Sequence, residues 1–174
     1  MKIRLSGIIN ESVVDGPGVR MVFFCQGCPL NCPGCQNPDS RDLEGGCVYS
    51  LIDLEKRITE HKFISGITLS GGEPSLQAAP CAGLAKAAKE NGKNVMLYSG
   101  FTFEQLQEQM AENEDLIRLL KFTDILVDGP YLEEQRNIDL VFRGSANQRI
   151  IDIPLSLQTG EVHELKLGRE ARRK

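Results

Sequence analysis

An open, mainly parallel α/β fold is predicted by three features of the sequence. Strand-like and helix-like segments alternate, and each strand-like segment ends in a turn rich in Gly or Cys. Only about five such units are present, too few for a closed eight-stranded barrel, so an open partial (β/α) barrel is expected.

The elements follow from local pattern. "VRMVFFC" (residues 19–25) is β-branched and aromatic and runs into a cysteine-rich loop. After a Gly-rich, acidic connector, "SLIDLEKRITEH" reads as a helix. Ser50 is its expected N-cap, Asp53 fits a capping-box variant, and Leu51, Leu54 and Ile58 share one face. "GITLSGG" (66–72) is a short apolar strand, and "APCAGLAKAAKENG" is an Ala-rich helix stopped by Asn91-Gly92. "NVMLYSG" is the next strand. Thr102 then caps a helix carrying Phe103, Leu106 and Met110, and a further helical piece covers 115–121. "DILVDGP" is a fourth strand, and "QRIIDIPLSL" reads as a fifth after a polar excursion. In parallel α/β architectures the binding face lies at the C-terminal strand ends. The turns "CQGC", "SGGEP", "YSGF" and "VDGP" should therefore meet on one rim.

At 174 residues the chain suggests one domain over 1–174, with a core over about 1–160 and a basic tail over about 166–174. That tail holds Lys166, Arg169, Arg172, Arg173 and Lys174 and reads as a solvated terminus. The 41% hydrophobic and 25% charged fractions are those of a soluble globule. A net charge of -4 argues against general nucleic-acid binding. No apolar run approaches the ~18 residues of a membrane span, and the N-terminus lacks a signal-peptide pattern. A cytoplasmic protein is expected, without membrane or nucleic-acid partners. Its six cysteines then point to metal or catalysis before disulfides.

Four of those cysteines crowd "CQGCPLNCPGC". Taken together, Cys25, Cys28, Cys32 and Cys35 give C-x2-C-x3-C-x2-C; without Cys25 the spacing is C-x3-C-x2-C. Zinc ribbons separate their two knuckles by far more than the intervening three residues, and ferredoxin runs follow another order. Three thiolates on a four-iron cubane would leave one iron open to an external chelator, as open positions do in catalytic metal sites. Pro29 and Pro33 stiffen the loop, and Gly34 removes a side chain where backbone approaches cluster or ligand. Cys25, at the end of an apolar strand, reads as a small buried hydrophobe. Cys47, Cys81, His61 and His163 have no partner at ligand spacing.

The C-x3-C-x2-C loop after the first predicted strand, joined by "GGEP" (71–74) after the second, resembles the radical S-adenosylmethionine (SAM) enzymes. The resemblance implies a [4Fe-4S] cluster on Cys28, Cys32 and Cys35, with its open iron chelating the SAM amino and carboxylate groups. It implies that Gly71, Gly72 and Glu73 lie along the SAM methionyl part. The reduced cluster then cleaves SAM to methionine and a 5′-deoxyadenosyl radical, and no side chain need act as acid or base. Gln36 stands where the family usually has an aromatic residue on the adenine side; its amide can hydrogen-bond adenine but cannot stack as a ring does. Tyr98-Ser99-Gly100 matches a strand-end triplet near SAM, so Ser99 joins the cofactor-binding candidates. Asp128, at the fourth strand end, is a candidate for cofactor or partner contact.

"VVDGPGVR" resembles the D-G-P-G-x-R element of glycyl-radical-enzyme activases, which implies that Asp15, Gly16, Pro17, Gly18 and Arg20 face the partner's glycine loop. "DGPYLEEQRN" and "LVFRGSANQRI" are similar to the anaerobic ribonucleoside-triphosphate reductase activating group. Arg143–Arg149 are expected to serve that interface or to lead into the last strand. The partners implied are anaerobic ribonucleotide reductase and a reductant of flavodoxin, ferredoxin or thioredoxin type. Two rival readings remain: activation of another glycyl radical enzyme, of pyruvate formate-lyase type, and plain electron transfer with Cys25 as fourth ligand. A zinc-binding module is disfavoured by the spacing.

Overall fold

The computed structural model describes residues 1–167, so most of the basic tail, Arg169, Arg172, Arg173 and Lys174, lies outside the described residues. Seven strands form one sheet: β1 (Lys2–Ser12), β2 (Arg20–Cys25), β3 (Cys47–Ser50), β4 (Gly66–Gly71), β5 (Asn94–Tyr98), β6 (Ile125–Asp128) and β7 (Arg149–Asp152). Their order is β3-β1-β2-β4-β5-β6-β7, open at both ends. The inner strands β2, β4, β5 and β6 are parallel, whereas β1, β3 and β7 are antiparallel additions. The expected open parallel core is present, and the expected five strands become seven.

Two of the differences have a local cause. β1 is interrupted by Ser, Asn and Glu because much of it faces solvent, and it bulges between Leu5 and Gly7 and between Ile9 and Ser12. The predicted fifth strand ends at Asp152, and α5 (Ile153–Thr159) follows. Asp152 caps that helix by accepting from the Leu155 backbone N–H, Pro154 occupies its first turn, and Gly160 closes it in the left-handed region.

The other helices are α1 (Leu51–Glu60), α2 (Ala78–Glu90), α3 (Phe103–Met110) and α4 (Glu114–Phe122). Leu51, Leu54 and Ile58 are buried as the periodicity requires. Ser50 holds the N-cap position of α1 without a side-chain capping bond, and the Leu51 N–H donates to the Met1 carbonyl at 3.1 Å. Thr102 and Gln105 form a complete capping box on α3.

Strand alternation gives the sheet two different faces. Phe23, Cys25, Ile67, Leu69, Leu97 and Leu126 pack under the helices in the main core. The intervening Phe24, Ser70 and Tyr98 line a cavity on the opposite face. Farther down that face, Met96, Ile125, Val127 and Ile150 form a smaller apolar cluster with Phe142 against it.

Asp128 closes the β6 end of the sheet and does not contact the cavity. Its carboxylate is 1% exposed, accepts from the Phe103 N–H at 2.7 Å, and pairs with Arg149, which also bridges to Glu104. The expectation of a cofactor or partner contact is therefore corrected: its oxygens are committed to a helix start and a guanidinium. Arg149 holds the Glu104 carboxyl down to about 2. Replacing Arg149 with Ala should lower unfolding stability by about 2 kcal/mol, less than for a fully buried pair because Arg149 is partly solvated. Denaturant titration checks this.

Candidate functional site

The turns after β2, β4, β5 and β6 meet at one cavity of about 610 Å³, within the size range of small-ligand sites. Cys28, Cys32 and Cys35 all line it and are half-buried. Cys25 faces the other way: it is fully buried in the helix-side core, with its Sγ 3.6 Å from that of Cys81. Cys47 is exposed on β3. Burial pushes the Cys28 thiol up from its ordinary value, so binding metal there must displace a proton.

Among the described residues, no three His, Cys, Asp or Glu side chains gather as they would around one metal ion. Three thiols entering a shared cavity from separate loop positions fit a multi-iron cluster, which takes one thiolate per iron. The donor set also lacks a fourth thiol on the cavity wall.

The paired glycines are required by the cysteine loop itself. Gly71 has φ +95, and a Cβ there would lie 2.7 Å from the Cys25 backbone nitrogen and oxygen. At Gly72 a Cβ would strike the Gly27 carbonyl oxygen and come within 2.7 Å of that of Ser40. Gly72 donates to the Cys25 carbonyl at 2.7 Å, and Glu73 donates to that of Gly27 at 2.8 Å. Both glycines line the cavity. Their small size lets the two backbones close on each other beside it.

Glu73 lies behind this wall, 0% exposed and not on the cavity surface. Its carboxylate accepts from the Ser75 N–H at 3.0 Å, the Ser99 hydroxyl at 3.0 and 3.1 Å, and the Gly100 N–H at 2.8 Å. Burial pushes this carboxyl up, and those donors pull it back. Glu73 thus fastens the β4 turn to the β5 turn, while Ser99 and Gly100 line the cavity. Gly34 is also off the wall; at φ +67, a Cβ there would lie 2.8–3.1 Å from the Glu133 carboxylate atoms. Gln36 does line the cavity.

The D-G-P-G segment divides. Asp15 lines the cavity, with its carboxylate accepting from the Ser12 hydroxyl at 2.5 Å. Gly18 is exposed and Pro17 is half-buried, whereas Gly16 is buried against Met96 and Arg20. Arg20, expected to face the partner, is 0% exposed, and that expectation is corrected. Its guanidinium donates to Thr68 Oγ1 at 2.7 Å, the Pro17 carbonyl at 3.0 Å and Asn94 Oδ1 at 2.5 Å, and also to the Ile67 carbonyl. Burial lowers its pKa to about 10, so it stays charged at neutral pH. Arg20 holds the turn from beneath.

Tyr131 and Phe142 are given no role by the sequence, and Gln148 falls in the 143–149 stretch expected at the partner interface or as a lead into the last strand. Tyr131, Phe142 and Gln148 come from residues 130–148, which fold back over the β6 end. The "DGPY" and "RGSANQR" strings mark this region, but nothing local shows that it turns inward.

These features define an iron–sulfur α/β protein. A family model described as a 4Fe-4S single cluster domain matches residues 14–151. The anaerobic ribonucleoside-triphosphate reductase-activating protein of Vibrio cholerae is 34% identical over 146 residues, covering 79% of this chain and 90% of that protein. The protein of the same name from Enterobacteria phage T4 is 30% identical, covering 79% and 86%. The pyruvate formate-lyase-activating enzyme of Clostridium pasteurianum is 32% identical, covering 70% of this chain and 53% of the enzyme. The chain belongs to the 4Fe-4S single-cluster family that includes the anaerobic ribonucleoside-triphosphate reductase-activating proteins.

Glu73→Gln should lower unfolding stability by about 1–3 kcal/mol, because the amide turns a donor toward donors it cannot satisfy. Thermal and denaturant unfolding would show it; unchanged stability would remove Glu73 as the link between the two turns.

Proposed function

We propose that this protein is a radical SAM activase that generates a glycyl radical on anaerobic ribonucleoside-triphosphate reductase. The observation that carries this reading is the single cavity that Cys28, Cys32 and Cys35 share with the Gly71–Gly72 backbone, from which Cys25 is excluded. Its relatives' names support the partner: the chain covers 90% of the Vibrio cholerae reductase activator but 53% of the pyruvate formate-lyase activator.

In this reading Cys28, Cys32 and Cys35 hold the [4Fe-4S] cluster, and the cavity beside them takes SAM. When bound, these groups supply reductive cleavage of SAM to methionine and a 5′-deoxyadenosyl radical, which removes a hydrogen atom from a partner glycine. The chain's own residues position and enclose. The Gly71–Gly72 backbone offers a surface without side chains, and Glu73 keeps the β4 and β5 turns in register behind it. Val14, 73% exposed, lines the cavity with Asp15 where the partner's glycine segment would enter, and Val13 next to it is 71% exposed. Arg20 fixes that turn through the Pro17 carbonyl. The electron comes from a reductant of flavodoxin, ferredoxin or thioredoxin type. The site of action is the cytoplasm; no helix among the described residues is long and apolar enough to cross a membrane.

Anaerobic reconstitution, reduction and addition of SAM should yield 5′-deoxyadenosine. Cys32→Ala should lose both cluster iron and this product, while Cys25→Ala keeps both. A fully active Cys32→Ala would sink the cluster assignment, and cluster loss in Cys25→Ala would favour an electron carrier with four thiolates.

A further inference from the structure

We propose that Tyr131 supplies the stacking face for the SAM adenine and that Gln36 reads the adenine edge, the two together replacing an aromatic residue after the third cluster cysteine. The inference rests on the SAM reading above and concerns which residues of this chain select the base.

Gln36 and Tyr131 both line the cavity, one from the cysteine loop and one from the segment after β6. They converge on the backbone of Gly144. A Cβ there would lie 3.0 Å from Tyr131 Cδ2 and 3.1 Å from Gln36 Nε2. Ring and amide therefore meet at one point of the wall, and glycine is the residue that leaves room for both.

Tyr131 is bracketed by fixed backbone. Gln148 accepts from the Gly144 and Ser145 N–H groups at 2.9 and 3.2 Å, and its own amide donates to the Gly129 carbonyl at 3.1 Å. On the other side of Tyr131, the Leu132 N–H donates to the hydroxyl of Ser145, itself 0% exposed. With the backbone on either side of Tyr131 fixed, less freedom is lost when a base stacks on its ring. Phe142 adds strain to the same wall: it is the one non-glycine residue with positive φ, +56, among the described residues. The Tyr98 hydroxyl donates to its carbonyl at 2.9 Å. Such conformations persist where the surroundings enforce them, commonly at ligand sites.

The chemistry matches a purine. Adenine presents a π face and an edge with the N6 amino donor beside the N7 acceptor, which a glutamine amide meets with its own acceptor and donor.

The test is equilibrium binding of S-adenosylhomocysteine and S-inosylhomocysteine to the anaerobically reconstituted protein, with iron content and thermal unfolding recorded for each variant. Tyr131→Leu should weaken both ligands by about tenfold or more, and Tyr131→Phe should restore them. Gln36→Leu should weaken the adenine ligand by about tenfold and abolish the preference over hypoxanthine. Tyr131→Leu binding as wild type does, or Gln36→Leu with its adenine preference intact, would overturn the assignment. Wild-type protein with a full cluster that binds neither ligand would overturn the SAM reading itself, and this inference with it.

Discussion

The site depends on how closely the cysteine loop and the β4 turn approach each other. β2 and β4 run parallel until Cys25 stands opposite Gly71, and beyond that point the two backbones continue to bond as irregular loops. Gly72 donates to Cys25 and Glu73 to Gly27, across a gap that any Cβ at 71 or 72 would fill. Buried backbone groups need partners, and here each loop supplies the other's. Cys28, the first of the three thiols on the cavity wall, follows Gly27 directly. The position of the first thiol is thus tied to the second turn.

A buried carboxylate extends the same logic to the third turn. Glu73 is costly to bury, and the donors from Ser75, Ser99 and Gly100 offset that cost. Arg20 works similarly at the opposite ends of the strands, linking the Pro17 turn to Thr68 and Asn94. Each of these two charged groups lies within the sheet region, and each positions a turn that carries a motif. Neither touches the cavity.

Much of the scaffold was legible locally. The four parallel strands, the apolar face of α1 and the Thr102 cap follow from alternation, periodicity and capping chemistry, which act over a few residues. β1 and β3 were not legible, because edge strands with a solvated side carry polar residues and a weak pattern. The split of the last predicted strand into β7 and α5 had a local signal in Asp152, Pro154 and Gly160, and the apolar run around it hid that signal.

By itself the sequence determined the donor spacing: three thiols at C-x3-C-x2-C, a fourth cysteine ending an apolar strand, and glycines at successive strand ends. Those are matters of spacing along one chain, and the chain fixes spacing. The tertiary structure alone decided which side of the sheet each residue serves. It turned Cys25 toward Cys81 and away from the cavity, buried Arg20, Glu73 and Asp128 behind the wall, and brought Tyr131 and Gln36 together at Gly144. Such pairings join residues from some 20 to more than 100 positions apart. They are set by the packing of non-local backbone, which no local propensity encodes.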